Sequence, residues 1–167
     1  DTGAPVITNN VSGDNIWRNS SVNYDMDFQD LYSKLDTAQY QIKSVTGGVI
    51  IDWTDIFSGI SQPTYTTDWS VNFDLLQSGT NYVSVRCWDV VGITDTINNA
   101  FYIKKDTTPP VINDLQDGDT VWRRINDGVY DIDFSDELSL LDYAQYKIVS
   151  GTGGLIVDWY TYVSGIN

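Results

Sequence analysis

The chain writes one pattern twice, and that constrains its fold more than any other feature. Asp1-Thr2-Gly3-Ala4-Pro5-Val6-Ile7 returns as Asp106-Thr107-Thr108-Pro109-Pro110-Val111-Ile112, and Trp17-Arg18 returns as Trp122-Arg123. After a one-residue insertion, Tyr24-Asp25-Met26-Asp27-Phe28 returns as Tyr130-Asp131-Ile132-Asp133-Phe134. Ala38-Gln39-Tyr40, Asp52-Trp53 and Ser58-Gly59-Ile60 match Ala144-Gln145-Tyr146, Asp158-Trp159 and Ser164-Gly165-Ile166. Roughly half of about 60 aligned positions are identical, a self-similarity that marks a duplicated domain. The duplication predicts a complete repeat over residues 1–105 and the first part of a second over 106–167, where Ser61 to Lys105 have no counterpart. Pro109 and Pro110 fix φ and hold the preceding residue extended, so the junction from Lys104 to Pro110 is expected to be a short, stiff hinge.

Within a repeat the hydrophobic period is two. Val22, Tyr24, Met26 and Phe28 alternate with Asn23, Asp25 and Asp27, which reads as a half-buried strand. Ala38 to Ile42, Trp69 to Leu75 and Val83 to Cys87 alternate in the same way. Pro5 to Ile7, Val49 to Ile51 and Ala100 to Ile103 complete about seven strands, the number an immunoglobulin-like sandwich uses. Gly, Asn, Ser and Asp fill the turns, as at Ser12-Gly13-Asp14, Gln77-Ser78-Gly79 and Val91-Gly92. No segment keeps a 3.6-residue period over three turns, so little or no helix is expected.

Composition agrees. Eleven Tyr, six Trp and five Phe accompany many Val, Ile and Thr, the residues that suit a pleated, half-buried surface. The net charge of −14 disfavours phosphate backbones and anionic membranes as partners, though it would attract divalent cations. Cys87 is the only cysteine, so no intrachain disulfide can form, and it reads as a small buried hydrophobe. No apolar run reaches the ~20 residues of a helical membrane span. The start at Asp1, without a visible signal peptide, reads as a cut inside a longer chain.

Three motifs together resemble the bacterial immunoglobulin-like tandem repeats of large extracellular and surface proteins, of adhesin or stalk type. One is the junction Asp106-Thr107-Thr108-Pro109-Pro110-Val111-Ile112, similar to that family's domain start. Another is Phe28-Gln29-Asp30 followed by Ser33-Lys34-Leu35, repeated as Phe134-Ser135-Asp136 and Ser139-Leu140-Leu141. It is similar to the family's strand-Asp and Ser-Gly-Leu turn, with the glycine missing in both copies. The third is Gly79-Thr80-Asn81-Tyr82-Val83 leading to Trp88-Asp89-Val90-Val91-Gly92. The resemblance implies an all-β, immunoglobulin-like or fibronectin-III-like sandwich, arranged as beads on a string. It implies extracellular or cell-surface display and a non-enzymatic role in a stalk, fibre, filament or surface layer. An adhesin or carbohydrate-binding module using exposed aromatics is the alternative. A further one is a filament subunit whose incomplete domain is completed by a strand from a neighbouring chain. Neighbouring repeats, copies of itself, glycans and cell-surface molecules are the partners to expect, and nucleic acid is not.

Candidate chemistry is confined to acids and aromatics. Histidine is absent, which removes Ser-His-Asp and Cys-His catalysis, and a small repeated sandwich offers no cleft for paired glycosidase carboxylates. No enzymatic activity is expected. Gly47-Gly48 and Gly153-Gly154 precede strands and read as turns, not phosphate loops. Asp25, Asp27 and Asp30 share one face and end of a strand and could offer part of a Ca²⁺ shell, with a solvated polar face as the plain alternative. Asp1 and Asp106 sit at domain starts where Ca²⁺ could stiffen the hinge, helped by Asp119 or Asp14. Trp17, Trp53, Trp122 and Trp159 recur at matched positions, which suits core or inter-domain packing. Trp88 has the parity of Ser84 and Arg86 and is the expected exposed ligand-binding aromatic. Asn10-Val11-Ser12 and Asn19-Ser20-Ser21 fit the N-glycosylation pattern at Asn10 and Asn19.

Overall fold

The fold is that of a computed structural model, which describes residues 2–11, 13, 15–116, 118 and 120–166. It separates into two compact units, Asp1–Thr107 and Thr108–Asn167. The first holds β1 (Val6–Asn9), β2 (Trp17–Arg18), β3 (Met26–Gln29), β4 (Leu35–Ser44), β5 (Val49–Phe57), β6 (Thr64–Tyr65), β7 (Gly79–Asp89) and β8 (Thr94–Lys105). The second holds β9 (Val111–Asp114), β10 (Ile132–Ser135), β11 (Tyr143–Val149) and β12 (Leu155–Ser164). Among the described residues the only helical element is a 3₁₀ turn at Phe73–Leu75.

In the first unit, a three-stranded sheet in the order β1-β3-β6 faces a five-stranded sheet in the order β2-β8-β7-β4-β5. The two share one core, an arrangement consistent with a β-sandwich. Ile7, Met26 and Phe28 from the small sheet join Ala38, Ile42, Val83, Val85, Cys87, Phe101 and Ile103 from the large one. Trp69 closes one part of that core, stacked on Tyr40 with ring centroids 5.3 Å apart. Phe28, Phe57 and Tyr65 close another, with Phe57 and Tyr65 centroids at 4.4 Å. Alternation put the right residues inside: in β7, Val83, Val85 and Cys87 are buried while Tyr82, Arg86 and Trp88 are half-buried on the opposite face.

The segment Trp69–Leu75 departs from expectation. It forms no strand beyond a single bridge between Trp69 and Tyr24, and then winds into the 3₁₀ turn. The apolar period breaks there, because Leu76 is buried and Leu75 is 57% exposed. Three backbone carbonyls are gathered by one ammonium instead of a ladder: Lys105 Nζ donates to the carbonyls of Phe73 (3.0 Å), Asp74 (3.2 Å) and Leu76 (3.0 Å). β2 and β6 have two residues each, too short to leave a periodic signal; β2 runs parallel to β8, pairing Trp17 with Lys104.

The second unit reproduces the first unit's local geometry. β1 pairs β3 with Ile7 opposite Phe28, and β9 pairs β10 with Ile112 opposite Phe134. β4 and β5 shift register between Ala38 and Gln39, Tyr40 and Ile42, and Ile42 and Lys43; β11 and β12 shift at Ala144/Gln145, Tyr146/Ile148 and Ile148/Val149. The turns agree too. Gly47 at φ 85° and Gly153 at φ 84° sit in the left-handed region, and Ser44 and Ser150 hydroxyls each accept from the N–H of the following Gly48 or Gly154. What differs is cover. Ile42 is wholly buried whereas Ile148 is 45% exposed, and Ala144 is the only buried hydrophobe among the described residues of the second unit.

Candidate functional site

The acidic candidates do not converge. Asp25 and Asp27 do share a face, but Asn10 bridges them: its Nδ2 donates to Asp25 Oδ1 at 3.1 Å and Asp27 Oδ2 at 3.0 Å. Asp30 is buried and turns inward on its own loop. Its Oδ1 accepts from the N–H of Tyr32 (3.0 Å), the N–H of Lys34 (3.0 Å) and the Ser33 hydroxyl (3.2 Å). Asp136 repeats this with the N–H of Leu138 and Leu140 and the hydroxyl of Ser139. Lys34 and Leu140, the positions where the resembled family has glycine, lie at φ 72° and 65°. The Asp side chain therefore builds a left-handed turn that a glycine would adopt unaided. Asp106 is buried, and its N–H donates to the Arg18 carbonyl at 2.9 Å. Asp1, Asp14 and Asp119 lie outside the described residues, and among those described no three Asp, Glu, His or Cys side chains are grouped as a metal site would require.

Of the aromatic candidates, Trp53 and Trp88 come together on the outer face of the five-stranded sheet, Trp17 lies at that sheet's far edge, and Trp122 and Trp159 are exposed in the second unit. β4 places Gln39 opposite Arg86 of β7 and opposite Asp55 of β5. Arg86 lies between two indoles, its guanidinium carbon 4.0 Å from the Trp53 ring centroid and 4.6 Å from that of Trp88. The same guanidinium donates from Nε (3.0 Å) and a terminal nitrogen (2.7 Å) to Gln39 Oε1, and Gln39 Nε2 donates on to Asp55 Oδ1 at 2.7 Å. Lys104 Nζ covers Trp17 at 5.3 Å, and Tyr82 meets Tyr102 edge-on at 6.3 Å. Trp17 and Trp53 are thus outside the core, so of the core or inter-domain packing expected of the matched tryptophans the core part fails for these two. Trp88 is half-buried rather than open. Each of these indoles already carries a cation, worth about 0.5–1 kcal/mol per contact at a wet surface.

Asp52 borders this face. The Trp53 N–H (2.8 Å) and Gln41 Nε2 (3.0 Å) donate to Oδ1 and hold its carboxyl below the usual carboxylate range. At the end of β7, burial pushes the Asp89 carboxyl up, but hydrogen bonds from the Ser33 hydroxyl (2.7 Å) and the N–H of Ile93 (2.7 Å), Gly92 and Val91 outweigh it and leave the group lowered. Cys87 points into the core, where burial and then the charges of Asp95, Asp30, Asp89 and Asp36 push its thiol up to about 12. A thiol so far from ionisation is not a nucleophile.

Sequence reasoning missed Arg86, Lys105, Asp89 and Gln39. Each acts on residues distant in the chain, and only parity along β7 carried a hint, since it put Arg86 and Trp88 on one face. Of the glycosylation candidates, Asn19 is exposed and Asn10 is committed to Asp25 and Asp27, with Ser12 of its motif outside the described residues. Among the described residues no helix is long and apolar enough to cross a membrane. Compared with protein-family models, curated proteins and solved structures, the chain has no match.

Proposed function

We propose that this chain is a non-enzymatic structural segment of a stalk, fibre, filament or surface layer displayed outside the cell, built from immunoglobulin-like repeats in tandem. The observation that carries the reading is that its chemistry-bearing side chains serve the scaffold, and do so twice. Asp30 and Asp136 build the same left-handed turn, and the Ser44 and Ser150 hydroxyls build the same hairpin. A site evolved for one reaction has no reason to recur at matched positions, whereas a packing solution must recur in every repeat. The cation-covered indoles support the same reading over a saccharide-binding strip, because a sugar would have to displace Arg86 from both of its rings.

The test has two arms. Antibodies against the chain should label intact cells that make it, without permeabilisation, and a glycan array should show no specific binding. Labelling only after permeabilisation would remove the surface-display reading. Specific saccharide binding that Trp88→Ala abolishes would make the chain an adhesin or carbohydrate-binding module instead.

A further inference from the structure

Among the described residues, two strands of the five-stranded sheet have no neighbour on one side over most of their length. β5 pairs with β4 alone, and β8 meets β2 only at Lys104 and Lys105. Such an edge offers rows of backbone N–H and C=O groups to any passing strand. Both edges are spoiled for that use, and in the same two ways.

One is bulging. Six residues of β4, Ala38 to Lys43, lie opposite nine of β5, Phe57 to Val49, so the extra residues all fall on the edge strand. β8 does likewise, with five residues from Ile97 to Phe101 against three of β7, Val83 to Val85. At that bulge Asn99 takes φ 50° and gives its N–H to the Ser84 hydroxyl at 3.0 Å, while Asn9 Nδ2 donates to the Ala100 carbonyl at 2.6 Å. The interior pair is straight: β4 and β7 keep register over eight successive pairs, Thr37 to Ser44. An extra residue bends its strand and interrupts the ladder that a newcomer would have to match.

The other is a carboxylate. The Trp53 N–H donates to Asp52 Oδ1 and the Thr96 N–H to Asp95 Oδ1, each at 2.8 Å. β12, the counterpart of β5, repeats both devices: nine of its residues face Ala144 to Val149, and the Trp159 N–H donates to Asp158 Oδ1 at 2.8 Å. On the interior strands the acids are used otherwise. Asp36 accepts from the Thr37 hydroxyl, and Asp89 from N–H groups of the turn beyond it. A backbone N–H held by its own neighbour's carboxylate is lost to an incoming strand, and the charge stands where that strand's carbonyl would lie.

The two devices overlap on β5 but not along all of β8. From Thr94 to Ile97 the strand runs in step with Trp88 to Val85, with Thr94 and Thr96 exposed, and there the Asp95 carboxylate acts without a bulge. We propose that Asp95 is an edge guard, which keeps this straight stretch of β8 from pairing antiparallel with the same stretch of a second copy, as Asp52 and the bulges do for β5. Two β8 edges so paired would set two Asp95 carboxylates in one seam. The proposal does not depend on where the chain is displayed.

Residue-resolved amide hydrogen exchange on the full chain, dilute and at millimolar concentration, reads each edge separately from any association elsewhere. In the native chain the Thr94–Ile97 amides should exchange equally at both concentrations. In Asp95→Thr they should slow by at least about tenfold in the concentrated sample, while those of β5 do not change. Asp68→Thr, which removes one charge from an exposed position outside the strands, should behave as the native chain does. Circular dichroism checks the fold of each variant, and Asp95→Ser is read in the same way if Asp95→Thr does not fold. Slowing at Thr94–Ile97 in the concentrated native chain overturns the proposal, as does unchanged exchange in a folded Asp95 variant. Equal slowing in Asp68→Thr also overturns it, by assigning the effect to net charge.

Discussion

Replacing Lys34 by glycine should stabilise the first unit, although it deletes a side chain and adds no contact. Lys34 holds φ 72°, a conformation that costs an L-residue with a Cβ about 1–2 kcal/mol. Its side chain is exposed, and its useful contacts are backbone ones: its N–H donates to Asp30 Oδ1 and its carbonyl accepts from Val90 N–H at 3.0 Å. Glycine keeps both. Against the relief stands the larger backbone entropy that glycine loses on folding, about 0.5–1 kcal/mol. The balance is a gain of about 0.5–1 kcal/mol, which for a unit of this size raises Tm by roughly 2–8 °C. Urea and thermal unfolding of the full chain followed by Trp fluorescence would read it, with Lys34→Val as the opposite control that should lose more than about 1 kcal/mol. Leu140→Gly makes the same change in the second unit. A Tm that falls with Lys34→Gly, or matches that of Lys34→Val, would refute the claim that the turn is held in strain by Asp30.

Four other outcomes follow from the same contacts. Arg86→Ala should cost about 1–3 kcal/mol by urea unfolding, since it removes two ring contacts and two charge-assisted hydrogen bonds, and Arg86→Lys should recover less than half. Lys105→Met keeps the aliphatic stem but strips the carbonyls of Phe73, Asp74 and Leu76 of their shared donor, for a loss of about 2–4 kcal/mol in the same assay. Cys87 should resist iodoacetamide at pH 8 in the native chain and react fully in denaturant, because burial holds its thiol near 12. Asp52 and Asp89 have lowered folded-state values, so the stability they contribute is present above the unfolded carboxylate value of about 4 and is lost as pH falls through the folded ones; the first unit should weaken on acidification below about pH 4, and Asp89→Asn should flatten that part of a Tm-against-pH curve.

Strands with a buried face and a wet face were legible in the sequence, because a period of two needs no partner to be seen. β4 and β7 show it in Ala38, Tyr40 and Ile42 and in Val83, Val85 and Cys87. The local geometry that the two units share, bulges and turns included, goes with matched residues such as Ala38-Gln39-Tyr40 and Ala144-Gln145-Tyr146, which the sequence shows directly. Trp69 to Leu75 misled because an extended segment lying on a core has the same alternation as a paired strand, and pairing is set by Tyr24, 45 positions away (69 against 24). Lys105 explains the 3₁₀ turn, yet nothing at Lys105 itself announces a buried ammonium. The outer face was half legible. Parity put Trp88 beside Arg86, but the indole–guanidinium–indole stack needs Trp53 from β5, which only the order of strands brings near.

Amide hydrogen exchange on the unmodified chain tests the central claim, one sandwich scaffold written twice and covered once, most directly. Flanked on both sides, β4 should exchange slowly at every interior residue, from Ala38 to Ile42. In β11 only alternate amides, those turned toward β12, should be slow, and the intervening ones should exchange at least about 100-fold faster than their counterparts in β4. Equal protection throughout both strands, in dilute chain, would contradict it.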